Sequence, residues 1–141
     1  MTETPAPFGP GYTLVITGAP YTSQAPATAL AFCQALLDTG HRCDRVFLYG
    51  DGVYLASALN TPPSDEPDWT AQWQALVRAH TIPAIACIAS CLRRGLLDEQ
   101  EATRYQKAGA NLAGGFDIAG LGEWVEAQTA SDRVIYFHGG H

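Results

Sequence analysis

The stretch IPAIACIASCLRRG, Ile82 to Gly95, decides the fold. Its first eight residues, Ile82–Ala89, are apolar at successive positions, so both sides of the chain suit burial. A short continuous apolar run of this kind reads as a strand inside a parallel sheet, covered on both faces. The residues that follow turn toward a helical segment bearing Arg93 and Arg94.

The same alternation extends in both directions. Upstream, YTLVIT (Tyr12–Thr17) and RVFLYG (Arg45–Gly50) read as buried strands. Between them Leu30, Phe32, Cys33, Leu36 and Leu37 fall at helical spacing over Ala27–Asp38, and Gly40 suits the stop. Asp51–Asn60 reads as a short helix closed by Thr61-Pro62-Pro63. The stretch Ser64-Asp65-Glu66-Pro67-Asp68 is then an acidic entry to a helix whose core stripe is Trp69, Trp73, Leu76 and Val77. Downstream, a polar helix is predicted over Asp98–Ala108 with a cap at Asp98, followed by a loop over Gly109–Gly115. Phe116–Leu121 is a short fourth strand, Glu123–Ala130 a helix, and Arg133–His138 a final strand.

Strands alternating with helices give an α/β fold: a doubly wound, mainly parallel sheet of about five strands, with helices on both faces in a flavodoxin-like sandwich. Reactive or binding groups then belong at the carboxyl ends of the strands. A chain of 141 residues fits one domain, expected over residues 12–138, with flexible tails at 1–11 and 139–141. No apolar run approaches the roughly 18 residues of a membrane span, and MTETPAPFGPG (Met1–Gly11) has neither a basic nor an apolar leader region. A cytoplasmic location is the expectation. The formal net charge of −6 argues against direct nucleic-acid binding, which draws on a basic surface.

Four cysteines, Cys33, Cys43, Cys87 and Cys91, carry the candidate chemistry. In a reducing compartment they are free, catalytic or metal-bound rather than structural disulfides. Cys87 falls at the end of the third strand, ahead of a helical segment with two arginines. A thiol at a helix start with cations nearby is stabilised as thiolate; equally, a free cysteine in a strand is a small buried hydrophobe. Position alone leaves both readings open. Cys91, four residues on, would share a helix face with Cys87 if both were helical. It is either an accessory thiol or a packing residue. Cys33 reads as core and Cys43 as inert. A zinc site needs a second ligand cluster, and none is present.

Cys87 to Arg93 also fits C-x5-R, the spacing of cysteine phosphatases and arsenate reductases. Such oxyanion cradles use amide nests helped by glycine, which this run lacks. The loop TGAPYTSQA (Thr17–Ala25) is rich in hydroxyls, as a flavin-phosphate loop would be, but it has neither G-x-G-x-x-G nor a Walker lysine. His138 and His141 near the terminus are weak metal candidates. His41 and His80 sit near helix ends, where a dipole role suffices.

Six segments together resemble the DsrE/TusD family of sulfur-relay proteins: TGAPYTSQA, VFLYGDGVYLAS, LNTPPSDEPD, the Trp73–Leu76 region, ACIASCLRRGLLDEQEA and NLAGGFDIAGLGEWVEAQTASDRVIYF. They fall within about Tyr12 to Phe137, nearly the whole chain, and the LRRG run followed by D-E-x-E-A is the most specific of them. The resemblance implies a DsrE-like fold and a sulfurtransferase subunit in which Cys87, the cysteine before A-x-x-L-R-R-G, accepts sulfur as a persulfide. Arg93 and Arg94 would stabilise the thiolate or pair at a subunit interface. Cys91 departs from the family pattern and gains no catalytic role from it.

The resemblance further implies a heterohexamer with TusC-like and TusB-like subunits, a TusA-like donor and a TusE-like acceptor. The product would be the 2-thiouridine of tRNA wobble positions or, in related members, dissimilatory sulfur oxidation. No cofactor, metal, membrane or direct nucleic-acid contact is required. Two readings from other classes stand beside it: a non-catalytic assembly subunit whose cysteines only pack, and the C-x5-R phosphatase or arsenate reductase.

Overall fold

The computed structural model describes residues 10–120, Gly122, Glu126 and residues 131–139. Five parallel strands form one sheet: β1 (Gly11–Ile16), β2 (Arg42–Leu48), β3 (Ala84–Cys87), β4 (Asp117–Ala119) and β5 (Arg133–Phe137), in the order β4-β3-β2-β1-β5. The helices are α1 (Ala25–Asp38), α2 (Trp69–His80), α3 (Ile88–Arg93) and α4 (Glu99–Arg104), with a 3-10 segment at Gly50–Ala56. The expected parallel α/β architecture is therefore present. The predicted helix over Glu123–Ala130 lies, apart from Glu126, outside the described residues.

Topology decides which face each connection covers. From β1 through β4 the strands step in one direction, so right-handed crossovers place their helices on a single face. The step from β4 to β5 runs the other way, past β1. The core is accordingly unequal. The larger layer joins Leu14, Ile16, Val46, Leu48, Ala84 and Ala86 of the sheet to Leu30, Cys33 and Leu36 of α1 and to Trp73 and Val77 of α2. The smaller layer, on the other face, is Val15, Phe47, Ile85 and Cys87.

Several expected boundaries move, each for a local reason. β1 begins at Gly11, inside the expected tail, because Gly11 N–H donates to Asp132 Oδ2 at 2.8 Å. β2 begins at Arg42 rather than Arg45 because Asp44 is bulged out of register between Tyr12 and Thr13 of β1. Its carboxylate accepts from Ser131 Oγ at 2.7 Å and from Arg42 Nε at 3.1 Å. The extra residue lets Cys43 and Val46 face the same layer, which strict alternation forbids. The short helix expected over residues 51–60 is present as a 3-10 helix that ends at Ala56, short of Asn60, and is entered through Gly50 at φ 57°. α4 stops at Arg104, short of Ala108, as the chain turns left-handed at Gln106. Asp98 caps it as expected, accepting from Glu101 N–H at 2.8 Å.

Candidate functional site

Cys87 closes β3 and is also the residue from which α3 starts; no loop intervenes. Its backbone is extended (φ −60°, ψ 125°), and Ile88 is already helical. The predicted strand to Ala89 is thus shortened, since Ile88 and Ala89 suit either state by composition. The carboxyl edge of the sheet around Cys87 is formed by Leu48, next to Ala86, and by Ala119, opposite Cys87. The side chain lies in the smaller layer with Val15, Phe47 and Ile85, flanked by Ala89, Ala119 and Val134, and exposes only 2% of its surface.

Cys91 points elsewhere. It is fully buried in the larger layer, on the inward side of α3. The condition for a shared helix face is not met: Cys87 is extended rather than helical, and the two thiols pack into different layers. Burial pushes the Cys91 thiol up to about 12, with the neighbouring Cys87 adding to the rise and Arg94 opposing it. Its sulfur is packed into the main core with 0% of its surface exposed. Cys33 and Cys43 also lie in the larger layer and hydrogen-bond to each other. That bond holds the Cys33 thiol below its ordinary value, while the same bond and burial push Cys43 up.

The two arginines diverge. Arg93 is exposed on the last turn of α3. Arg94 folds back: its Nε donates to Asp51 Oδ1 at 2.9 Å and its Nη1 to the Ser90 carbonyl at 3.1 Å. Ser90 Oγ in turn accepts from Gly50 N–H at 3.0 Å. α3 is thereby fastened to the segment that follows β2. Sequence reasoning missed Asp51 and Ser90, since residues about 40 apart carry no spacing signal. The geometry also counts against a C-x5-R cradle: Ile88–Arg93 is helix rather than an open amide loop, and the Ser90 hydroxyl is engaged.

A polar cleft of about 440 Å³ lies at the ends of β1 and β5, lined by Thr17, Thr22, Ser23, Asp51, His138 and the adjoining glycines. It contains the hydroxyl-rich loop. At the start of α1, Ser23 Oγ takes the Ala25 N–H at 3.0 Å and Pro26 has none to offer, so few amides remain for a phosphate. His138 shares a 3.0 Å hydrogen bond with Thr17 Oγ1 and stacks on Tyr136. His41 packs edge-on to Tyr12, and His80 ends α2. His141 lies outside the described residues. Among the described residues no three His, Cys, Asp or Glu side chains converge to hold a metal ion, and no helix is long and apolar enough to cross a membrane.

Fold and site together define a doubly wound α/β domain with a thiol at the carboxyl edge of its sheet. The chain belongs to the DsrE/DsrF-like family, whose model matches residues 11–137. Among curated relatives it is 44% identical to "Sulfurtransferase TusD" of Salmonella newport (strain SL254), over 89% of this chain and 98% of that protein. It is equally 44% identical to "Sulfurtransferase TusD homolog" of Vibrio parahaemolyticus serotype O3:K6, over 89% of this chain and 96% of the relative. Among solved structures, the ychN protein from E. coli superposes with a TM-score of 0.72 over 90% of this chain and 98% of that one; at 23% identity this likeness speaks for the fold alone.

Proposed function

We propose that this protein is a sulfurtransferase subunit of a sulfur relay, with Cys87 as its persulfide carrier. The observation that carries the proposal is the place of Cys87: the last residue of β3, at the sheet edge where α/β domains put their reactive groups, in a chain 44% identical to proteins named sulfurtransferase. Of the four thiols, Cys33, Cys43 and Cys91 all belong to the larger core layer.

The chemistry is two successive thiol exchanges. The Cys87 thiolate attacks the outer sulfur of a donor persulfide; the donor's S–S bond breaks, and the donor leaves as a thiolate while Cys87 holds –S–SH. The next carrier's thiolate then attacks that outer sulfur, and Cys87 leaves as thiolate. Neither step changes the overall oxidation state, and each rate depends on thiolate fraction and on access. The donor is a TusA-like carrier and the acceptor a TusE-like protein, in the cytoplasm, for 2-thiouridine synthesis at tRNA wobble positions. TusC-like and TusB-like subunits complete a heterohexamer. The acidic balance of the chain, −6, suits protein partners rather than direct contact with tRNA.

A Cys87→Ser variant, presented with labelled donor persulfide, is expected to take up no sulfur; uptake equal to that of the parent overturns the assignment. The second reading, an assembly subunit whose cysteines only pack, has the 2% exposure of Cys87 in its favour. It predicts that the parent protein too takes up none.

A further inference from the structure

With 2% of its surface exposed, Cys87 cannot be reached by a donor persulfide in this arrangement, so something must move. Among the described residues, its neighbours Val15, Phe47, Ile85, Ala119 and Val134 are strand residues held in the sheet. Ala89 is not: it stands on the first turn of α3. α3 has six residues, far too few to be stable through its own hydrogen bonds. It leaves Cys87 without a loop and gives way to Gly95 at φ 74°. Cys91 anchors its inner side in the core.

Apart from the turn that closes it, at Arg94–Leu96, its described polar ties run to one place, the start of the 3-10 segment: Gly50 N–H to Ser90 Oγ, and Arg94 to Asp51. The Arg94 side chain is 25% exposed and that of Asp51 59%, so their ion pair is solvent-screened and of small worth. Contacts of this kind open locally well before a domain unfolds.

We propose that Asp51, Arg94 and Ser90 form a latch that sets how often the first turn of α3 lifts away from Cys87. Asp51 and Ser90 are then positioning residues for sulfur transfer, acting through α3 rather than on the reacting atoms. The latch rests on the reading of Cys87 as sulfur carrier.

The test is site-resolved alkylation of the full-length protein with iodoacetamide, each cysteine followed by peptide mass. Asp51→Asn and Ser90→Ala are each expected to speed alkylation of Cys87 roughly fivefold, the scale of losing one weak tie, while Cys33 and Cys43 keep their parental rates. Ser90→Ala alters no charge, so its effect cannot arise from a changed field at the thiol. Unchanged Cys87 rates in both variants overturn the latch, as does an equal acceleration of all four thiols, which would mean general loosening. Sulfur loading of the parent separates the two proposals. Loading on Cys87 with indifferent alkylation removes the latch alone; faster alkylation with no loading removes the carrier role and the latch's purpose with it.

Discussion

Cys87 and Cys91 stand four residues apart and face different layers of the molecule: Cys87 packs with Val15, Phe47 and Ile85, Cys91 with the main core beneath α3. The change from extended backbone to helix at Cys87 separates them. On the proposed reading, sulfur loading belongs to Cys87 and core packing to Cys91.

Cys91 is expected to matter for stability and not for sulfur loading. Cys91→Ala removes a fully buried sulfur and should lower unfolding free energy by roughly 1–2 kcal/mol, while uptake of labelled sulfur stays at the parental level. Urea denaturation and a loading assay on the same preparation check both halves.

The same thiol gives a pH signature. Its folded value of about 12 lies above the ordinary 9.0, so on raising the pH the unfolded chain releases this proton before the folded one does. The stabilisation is complete below about pH 9 and is lost as the pH rises from there toward 12. In urea titrations at pH 8 to 11, the parent is expected to lose more stability with rising pH than Cys91→Ala does.

Gly52 and Gly50 probe the segment that carries the latch. A methyl group on Gly52 would run into the Ile16 carbonyl, backbone against backbone. Gly52→Ala should therefore cost roughly 1–3 kcal/mol through overpacking. A methyl on Gly50 meets nothing and is opposed only by the left-handed φ of 57°, so Gly50→Ala should cost about 1 kcal/mol. Denaturation midpoints decide; Gly52→Ala behaving like the parent would contradict the close approach.

Trp73 fastens α2 to α1: it is fully buried, and its Nε1–H donates to the Pro26 carbonyl at 3.0 Å. Trp73→Phe keeps most of the apolar contact and loses that bond, for an expected roughly 1–2 kcal/mol. Thermal unfolding followed by circular dichroism measures it.

How much of this was legible in the sequence depends on whether the signal is local. Apolar runs at Leu14–Ile16, Val46–Leu48 and Ala84–Cys87 announce parallel strands, because burial on both faces leaves no polar alternation. The same reasoning puts Cys87 at a strand end. It fails at Asp44, where a charged residue inside a strand is accommodated by a bulge and by Ser131, 87 residues away. It is incomplete for the segment after β2, where the expected short helix is a 3-10 helix, entered through Gly50 and ending at Ala56. The pairing of Arg94 with Asp51 depends on the sheet bringing the ends of β2 and β3 together. Two arginines in sequence are visible; which of them turns inward is decided by that contact.

The central claim, that Cys87 carries the sulfur, is tested most directly by mass spectrometry of the protein after exposure to a persulfide donor, with the modified peptide sequenced. The account predicts one added sulfur atom, released by reductant and located on Cys87. Added sulfur located on Cys91, Cys33 or Cys43, or none on the protein at all, would contradict it.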